Sequence, residues 1–496
     1  MGSSQPVIRR PHFSFAKRHG LLVTGVENDA VRVVCRPSPK IAAVAELRRF
    51  LGQPFQLSPV SGDEFEAMLQ RIYESDAGSM QMNGDLGEDL DLYSIAEQLP
   101  EPKDLLESQD DAPIIRLING LLTEAVKENA SDIHIETFES RLRVRFRVDG
   151  VMRDVLQPAR VLAPLIVSRI KVMARLDIAE KRLPQDGRIS LLIAGRPVDV
   201  RVSTIPSGYG ERAVLRLLDK QAGRLNLEQL GMDSTTESVM DRLIRLPNGI
   251  ILVTGPTGSG KTTTLYACLM KLNDSSSNIM TVEDPIEYYI DGIGQTQVNT
   301  KVGMTFAAGL RSILRQDPDI IMIGEIRDLE TAKIAVQASL TGHLVFSTLH
   351  TNTAVGAVTR LRDMGIEPFL LSSSLAGVLA QRLVRLLCVN CRKPYEPSGK
   401  EFADLELKKT GARTIYRAVG CELCNSQGYD GRTGIYELVE ADDAMRTMIH
   451  DLAGEHEIEQ YVHSRRPTIR QDGLRRILAG DTSIEEVLRV TSEDTP

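Results

Sequence analysis

The chain has no tryptophan, and aromatic residues fill only 4% of its 496 positions. Few ring faces are therefore on offer for stacking nucleobases, the platform on which single-strand binders and translocases depend. A basic balance is also missing. Against 67 acidic residues stand 59 basic ones, a formal charge of −8, whereas broad nucleic-acid binding rests on Lys and Arg neutralising phosphates. No nucleic-acid partner is expected. No apolar run approaches the roughly 20 residues that span a bilayer. Near the amino terminus, Arg9, Arg10, Lys17 and Arg18 surround only His12-Phe13-Ser14-Phe15-Ala16, without the apolar segment of a signal peptide. The expected location is the cytoplasm, with any membrane attachment supplied by a partner protein.

Cysteine is scarce as well, six in all. Cys35 and Cys268 stand alone and read as small buried hydrophobes. The other four form two knuckles, Cys388-x-x-Cys391 and, 29 residues on, Cys421-x-x-Cys424. In a reducing compartment such pairs favour zinc over disulfides. Four thiolates close a tetrahedral Zn²⁺, which makes the metal structural; redox-active or merely free thiols are the alternative.

What the chain does have is a phosphate-binding loop. The apolar run Ile250 to Val253 leads into Gly255-Pro256-Thr257-Gly258-Ser259-Gly260-Lys261-Thr262, and a helix opens with Thr263-Thr264-Leu265. The glycines let backbone N–H groups turn inward on phosphate oxygens. Lys261 reaches the β- and γ-phosphates and the Thr262 hydroxyl is placed for Mg²⁺, at a helix start whose dipole favours anions. The expected ligand is ATP with Mg²⁺.

Two further strands end in acids. Ile279 to Val282 runs into Glu283-Asp284-Pro285, where proline stops the ladder. Asp319-Ile320-Ile321-Met322-Ile323-Gly324-Glu325 has the Walker-B pattern with Glu as its acid. Phosphoryl transfer needs one carboxylate for Mg²⁺ and another to orient the attacking water. Glu325 is read as part of the metal–water network and Glu283 as the general base, with the division left open. His343 and His350 bracket the strand Leu344 to Leu349; each is either an ordinary polar residue or a sensor of the γ-phosphate.

At this length roughly three or four domains are expected. Residues 1–75 mix short alternating runs with helical ones (42–51 and 64–72) and form a small α/β module. In 76–111 acids dominate, ten against one lysine between Asp85 and Asp111, the composition of a solvated linker. Residues 112–222 form an α+β domain. It opens with a helix carrying the stripe Ile114, Leu117, Ile118, Leu121, Leu122 and Ala125. The alternating strand Arg141 to Val148 then turns at Asp149-Gly150. One face of its strands is crowded with arginines that have no evident partner in their own domain, either a solvated face or a surface turned to another subunit's nucleotide. From 223 to 387 strands and helices alternate as in a parallel sheet; 388–436 is the tetracysteine module and 437–496 is helical.

Taken together, the P-loop, the acidic segment Thr281 to Glu287, Gly324-Glu325-Ile326-Arg327-Asp328 and the histidine-flanked strand resemble the four boxes of the type II/IV secretion ATPases. The cysteine insert, Asp111-Ala112-Pro113-Ile114-Ile115 and Gly292 to Asn299 narrow the resemblance to the type II secretion branch. It covers about Asp110 to Val490; the first 75 residues share only a similar plan. The resemblance implies an α/β multidomain chain. A RecA-like P-loop ATPase core with a parallel sheet would follow the α+β domain and the small N-terminal α/β module, and carry the tetracysteine zinc insert. It implies a homo-hexameric motor on the cytoplasmic face of the inner membrane, driving pseudopilus assembly and export of folded periplasmic proteins. Its partners would be an inner-membrane component whose cytoplasmic domain holds the N-terminal module, and the inner-membrane platform protein. Arg201 and Arg216 would act at the nucleotide, Arg311, Arg315 and Arg327 around the Walker-B strand, and Arg432 after the cysteines. A type IV pilus extension ATPase shares the boxes and often the cysteines; retraction ATPases resemble this chain but lack the tetracysteine module. A DNA translocase, or a zinc-dependent scaffold that binds ATP without hydrolysing it, fits the residues less well.

Overall fold

The computed structural model describes most of residues 11–68, then 112–193, 196–219, 226–398, 401 and 414–492. The acidic stretch 76–111 and the helical reading of 64–72 fall almost wholly outside the described residues. Two compact units divide between Asp219 and Lys220.

The first unit begins with β1 (Leu21–Glu27), β2 (Ala30–Cys35), α1 (Ile41–Leu51) and β3 (Phe55–Pro59). β2 is the central strand, antiparallel to β1 and parallel to β3. Leu21, Val23, Val31, Val33 and Leu47 make its core.

The α+β domain follows. Helix α2 (Ala112–Lys127) buries the whole predicted stripe, from Ile114 to Ala125. The domain continues with β4 (Asp132–Thr137), β5 (Leu142–Val148), β6 (Val151–Leu156), α3 (Ala163–Met173), β7 (Gln185–Ile193), β8 (Arg196–Ser207) and β9 (Gly210–Asp219). The strands form one antiparallel sheet in the order β6-β5-β4-β9-β8-β7. β5 alternates as its sequence requires: Leu142, Val144 and Phe146 are buried against the helices, while Arg143, Arg145 and Arg147 take the other face. Asp149 and Gly150 both hold positive φ, 49° and 82°, the backbone of a type I′ hairpin turn.

The second unit contains α4 (Ser234–Ile244), β10 (Gly249–Thr254), α5 (Lys261–Leu272), β11 (Ile279–Glu283), β12 (Gly294–Gln297), α6 (Phe306–Ile313), β13 (Ile320–Ile323), α7 (Leu329–Leu340) and β14 (Leu344–Leu349). Helices α8 (Ala354–Asp363) and α9 (Pro368–Ser374) lead to the long strand β15 (Leu375–Leu387). The sheet order is β12-β11-β13-β14-β10-β15-β18, with β18 spanning Tyr429–Glu440. Every pairing is parallel except β15 with β18. Strands β10, β13 and β14 are buried along their whole length, because helices cover both faces of a parallel sheet and leave no place for alternating polar residues. The cysteine-bearing segment, with its small pair β16 (Lys393–Tyr395) and β17 (Ile415–Arg417), lies wholly within the connection from β15 to β18. Four helices, α10 (Asp443–His450), α11 (Glu455–His463), α12 (Ile469–Ala479) and α13 (Ile484–Thr491), complete the unit. No described helix is long and apolar enough to cross a membrane.

Candidate nucleotide site

A parallel sheet delivers all its carboxyl ends to one edge, which is where ligands of such sheets bind. Thr254 of β10 pairs with Leu349 of β14, and Ile323 of β13 pairs with both Ser347 and Val282. Consequently Gly255, Glu283, Gly324-Glu325 and His350 all emerge along the same rim.

The loop that follows β10 depends on glycine geometry. Gly255, Gly258 and Gly260 have φ of 145°, 82° and 88°, values that a side chain with Cβ resists. Pro256, Thr257 and Thr262 are exposed at the mouth, whereas Ser259 is buried. The Ser259 hydroxyl has no hydrogen-bond partner among the described residues, and a Cβ on Gly255 would come within 2.7 Å of it. A tight glycine cradle holding an unsatisfied buried hydroxyl, with an exposed threonine hydroxyl at its rim, fits a phosphate group and its Mg²⁺. Lys261 is 9% exposed and donates from Nζ to the carbonyls of Gly255 (2.8 Å) and Pro256 (3.1 Å). Burial lowers its proton affinity to about 8, with Glu325 opposing the shift and Arg382 adding to it.

Glu325 is the hub of the rim. Its carboxylate pairs with Arg327 at 2.6 Å and lies 3.4 Å from His350 Nε2. His350 is lowered from its usual range by burial and by Lys261, with Glu325 pulling the other way. Lys261, Glu325, Arg327 and His350 are thus one electrostatic cluster.

Glu283 is held differently. It is 3% exposed and accepts from the Tyr266 hydroxyl, from Thr281 Oγ1 at 2.6 Å and from Gln295 Nε2 at 3.1 Å. Burial raises its proton affinity against the three donors, which lower it. Tyr266 comes from α5 and Gln295 from β12, neither of which the sequence reading assigned to the site. Gln295 also accepts from the Ile290 N–H at 2.7 Å, so it fastens the edge of the sheet to this carboxylate.

His343, Arg311 and Arg315 contact residues other than Lys261, Glu325, Arg327 and His350. His343 precedes β14 at its amino end, where its carbonyl accepts from Gly249 N–H, and its ring contacts the Ala338 carbonyl at 2.9 Å and Thr341 Oγ1 at 3.3 Å. It occupies the edge opposite the phosphate loop, so only His350 joins the cluster. Arg311 pairs with Glu330 at 2.5 Å and Arg315 donates to the Arg311 carbonyl at 2.8 Å. Arg432 stands in β18 opposite Arg385.

In the first unit, the arginine face of the α+β sheet is a cross-strand row: Arg188, Arg201, Arg216, Asp132 and Arg147 follow one another in register. The expectation that these arginines lack partners in their own domain fails. Arg216 pairs with Asp132 at 2.9 Å, Arg145 with Glu136 at 2.7 Å, Arg212 with Glu136 at 2.6 Å and Arg143 with Asp154 at 2.7 Å. Cross-strand neighbours of opposite charge were placed by register, which the one-dimensional alternation of a single strand does not reveal.

The four cysteines converge. Their sulfurs all lie within 4.8 Å of one another, and Cys388–Cys421, Cys391–Cys424 and Cys421–Cys424 are 3.9, 3.8 and 3.7 Å apart. These separations are too long for disulfides and match the roughly 3.8 Å edge of a tetrahedron with 2.3 Å Zn–S bonds. Backbone N–H groups of Gly420, Cys421 and Gly428 point at the sulfurs of Cys391 and Cys424, at 3.1 to 3.3 Å. Although burial works against it, the N–H groups of Cys421 and Gly428 bring Cys424 down to about 7. The donor set fits a closed, structural Zn²⁺.

The sequence matches the family described as "Type II/IV secretion system protein" over residues 107–489, and residues 10–73 match an amino-terminal domain family of "GSPII protein E". It is 62% identical to the type II secretion system protein E of Pseudomonas aeruginosa, across 98% of this chain and 97% of that one. With the type II secretion system ATPase E of Vibrio cholerae it shares 60%, across 98% and 97%. Among solved structures, the pilus retraction motor PilT with bound ADP is similar at 26% identity and a TM-score of 0.50, over 75% of this chain and 96% of that one. The Legionella pneumophila ATPase DotB, at 20% identity and a TM-score of 0.57 over 76% and 96%, shares the fold.

Proposed function

We propose, from the premise that this chain belongs to the Type II/IV secretion system protein family, that it is the ATP-hydrolysing motor of a type II secretion system. It would power pseudopilus assembly and so export folded proteins from the periplasm. The observation that carries the chemistry is the meeting of Lys261, Glu325, Arg327 and His350 beside a glycine cradle on one edge of a parallel sheet. Relatives named for type II secretion, at 62% and 60% identity, favour this reading over pilus extension. The cellular test is a strain carrying only Lys261→Ala. Exported proteins are expected to collect in the periplasm while type IV pili still assemble; lost pili with intact secretion would overturn the assignment.

In this reading Lys261 and the loop N–H groups would hold the β- and γ-phosphates, and the Thr262 hydroxyl and Glu325 would hold Mg²⁺, which when bound supplies positive charge against the phosphates. Glu283, read as the general base, would orient the attacking water, and Arg327 and His350 fix Glu325. The working form is a homo-hexamer at the inner membrane, anchored by residues 1–75 to a partner with a cytoplasmic domain and acting on the platform protein.

Arg201 and Arg216 are assigned to the nucleotide of a neighbouring subunit, an arrangement that makes hydrolysis depend on assembly. Each alanine variant is expected to depress ATPase activity. Because Arg216 is paired with Asp132, its removal also takes one partner from that acid. Mixing Arg201→Ala with Lys261→Ala subunits should restore part of the activity, since some interfaces then combine an intact loop with an intact arginine. Activity no greater than the sum of the separate variants would count against action in trans.

Cys388, Cys391, Cys421 and Cys424 are assigned one Zn²⁺. Metal analysis of the folded, reduced protein is expected to find one zinc per chain, and chelation to loosen the module while leaving the phosphate loop able to bind ATP. A folded protein without zinc would remove the assignment.

A further inference from the structure

We infer that Gln381 is a positioning residue for the phosphate loop, a role that rests on the ATPase reading above and adds to it a residue outside the four boxes. Strand β15 runs parallel to β10, with Thr254 opposite Ala380. The next residue along each strand is therefore Gly255 on one side and Gln381 on the other. The contact is close: a Cβ on Gly255 would stand 2.4 Å from the Gln381 carbonyl oxygen, and one on Gly260 would stand 3.2 Å from Gln381 Nε2.

The side chain is 1% exposed and spends both ends of its amide on the loop and its helix. Nε2 donates to the Ser259 carbonyl at 2.6 Å, and Oε1 accepts from Thr264 Oγ1 at 2.8 Å. The Ser259 carbonyl can only accept, so the amide nitrogen must face it, and the threonine hydroxyl then donates to the remaining oxygen.

This bond fixes a peptide plane. In a trans peptide the C=O and the following N–H point in opposite directions. Holding the Ser259 carbonyl towards β15 therefore turns the Gly260 N–H away from it, as a phosphate donor requires. Gly260 sits at φ 88°, and glycine samples both signs of φ at little cost, so this peptide would otherwise flip easily. The bond opposes that flip, and Thr264 ties the same amide to the first turn of α5. A neutral amide does this without adding charge beside Lys261.

The test uses the full-length protein and Mg-ATP. Gln381→Met keeps the volume and removes both bonds. Gln381→Asn keeps an amide but is one methylene too short to bridge Ser259 and Thr264. For Gln381→Met, the equilibrium dissociation constant and KM for ATP are expected to rise about tenfold, equivalent to about 1.4 kcal/mol, with kcat at saturating ATP within twofold. For Gln381→Asn the rise is expected to be at least threefold. A change in KM at constant kcat reports lost binding rather than a damaged fold. If either folded variant binds ATP as wild type does, or if kcat and thermal stability fall while affinity holds, Gln381 merely packs the core and the inference is overturned. Wild-type protein that fails to bind ATP would instead sink the ATPase reading itself.

Discussion

Glu325→Gln is expected to lower ATP hydrolysis by at least about a hundredfold, the scale of a lost general-base or metal-orienting group, while ATP binding stays within about threefold of wild type. The substitution keeps the side chain's size and removes the charge that holds Arg327 at 2.6 Å and lies 3.4 Å from His350. The cradle from Gly255 to Thr262 is left intact. Phosphate release and equilibrium ATP binding at pH 7 measure the two quantities separately. Lys261→Ala should give the reverse pattern, with affinity itself lost. Near-normal turnover in Glu325→Gln would show that the metal and the water are handled by other groups.

Deleting residues 1–75 is expected to release the protein from membranes and abolish secretion, with ATP binding preserved. The sequence from 10 to 73 matches an amino-terminal domain family of GSPII protein E, and no described helix is long and apolar enough to cross a bilayer. In this reading the β1–β3 module is what a protein partner holds. The acid-rich composition of 76–111 is that of a solvated tether. Fractionation of cells carrying the secretion system is the measurement. Truncated protein that still sediments with membranes would move the attachment to the α+β domain or the ATPase core.

What could be read from the sequence was whatever is local in the chain. The phosphate loop needs residues at fixed spacing between one strand and one helix, so Gly255 to Thr262 could be assigned without a structure. The stripe on α2 and the alternation on β5 follow from side-chain periods of 3.6 and 2. Glu283 shows where that reading stops. Its place at a strand end was visible, but its cage comes from Tyr266 on α5 and Gln295 on β12, and only tertiary packing brings those together. The arginine pairs Arg216–Asp132 and Arg212–Glu136 depend on antiparallel register between distant strands. His343 was within reach of sequence reasoning: it precedes the strand whose far end carries His350, and a parallel sheet binds ligands at its carboxyl edge alone.

The cysteine module meets the ATPase sheet at a single point. It leaves the sheet after Leu387 and returns at Tyr429, and those two residues are ladder partners in the antiparallel pair of β15 and β18. Its ends are therefore about 5 Å apart, a gap that an ordinary reverse turn closes. In topological terms the module is an oversized hairpin loop. Removing it would leave every strand of the ATPase sheet its neighbours, but would take Ile415 and Tyr395 from the apolar cluster they share with Val384, Ile435, Ile469 and Ile477. The module is thus separable from the topology of the sheet but not from the packing of the helices that follow it.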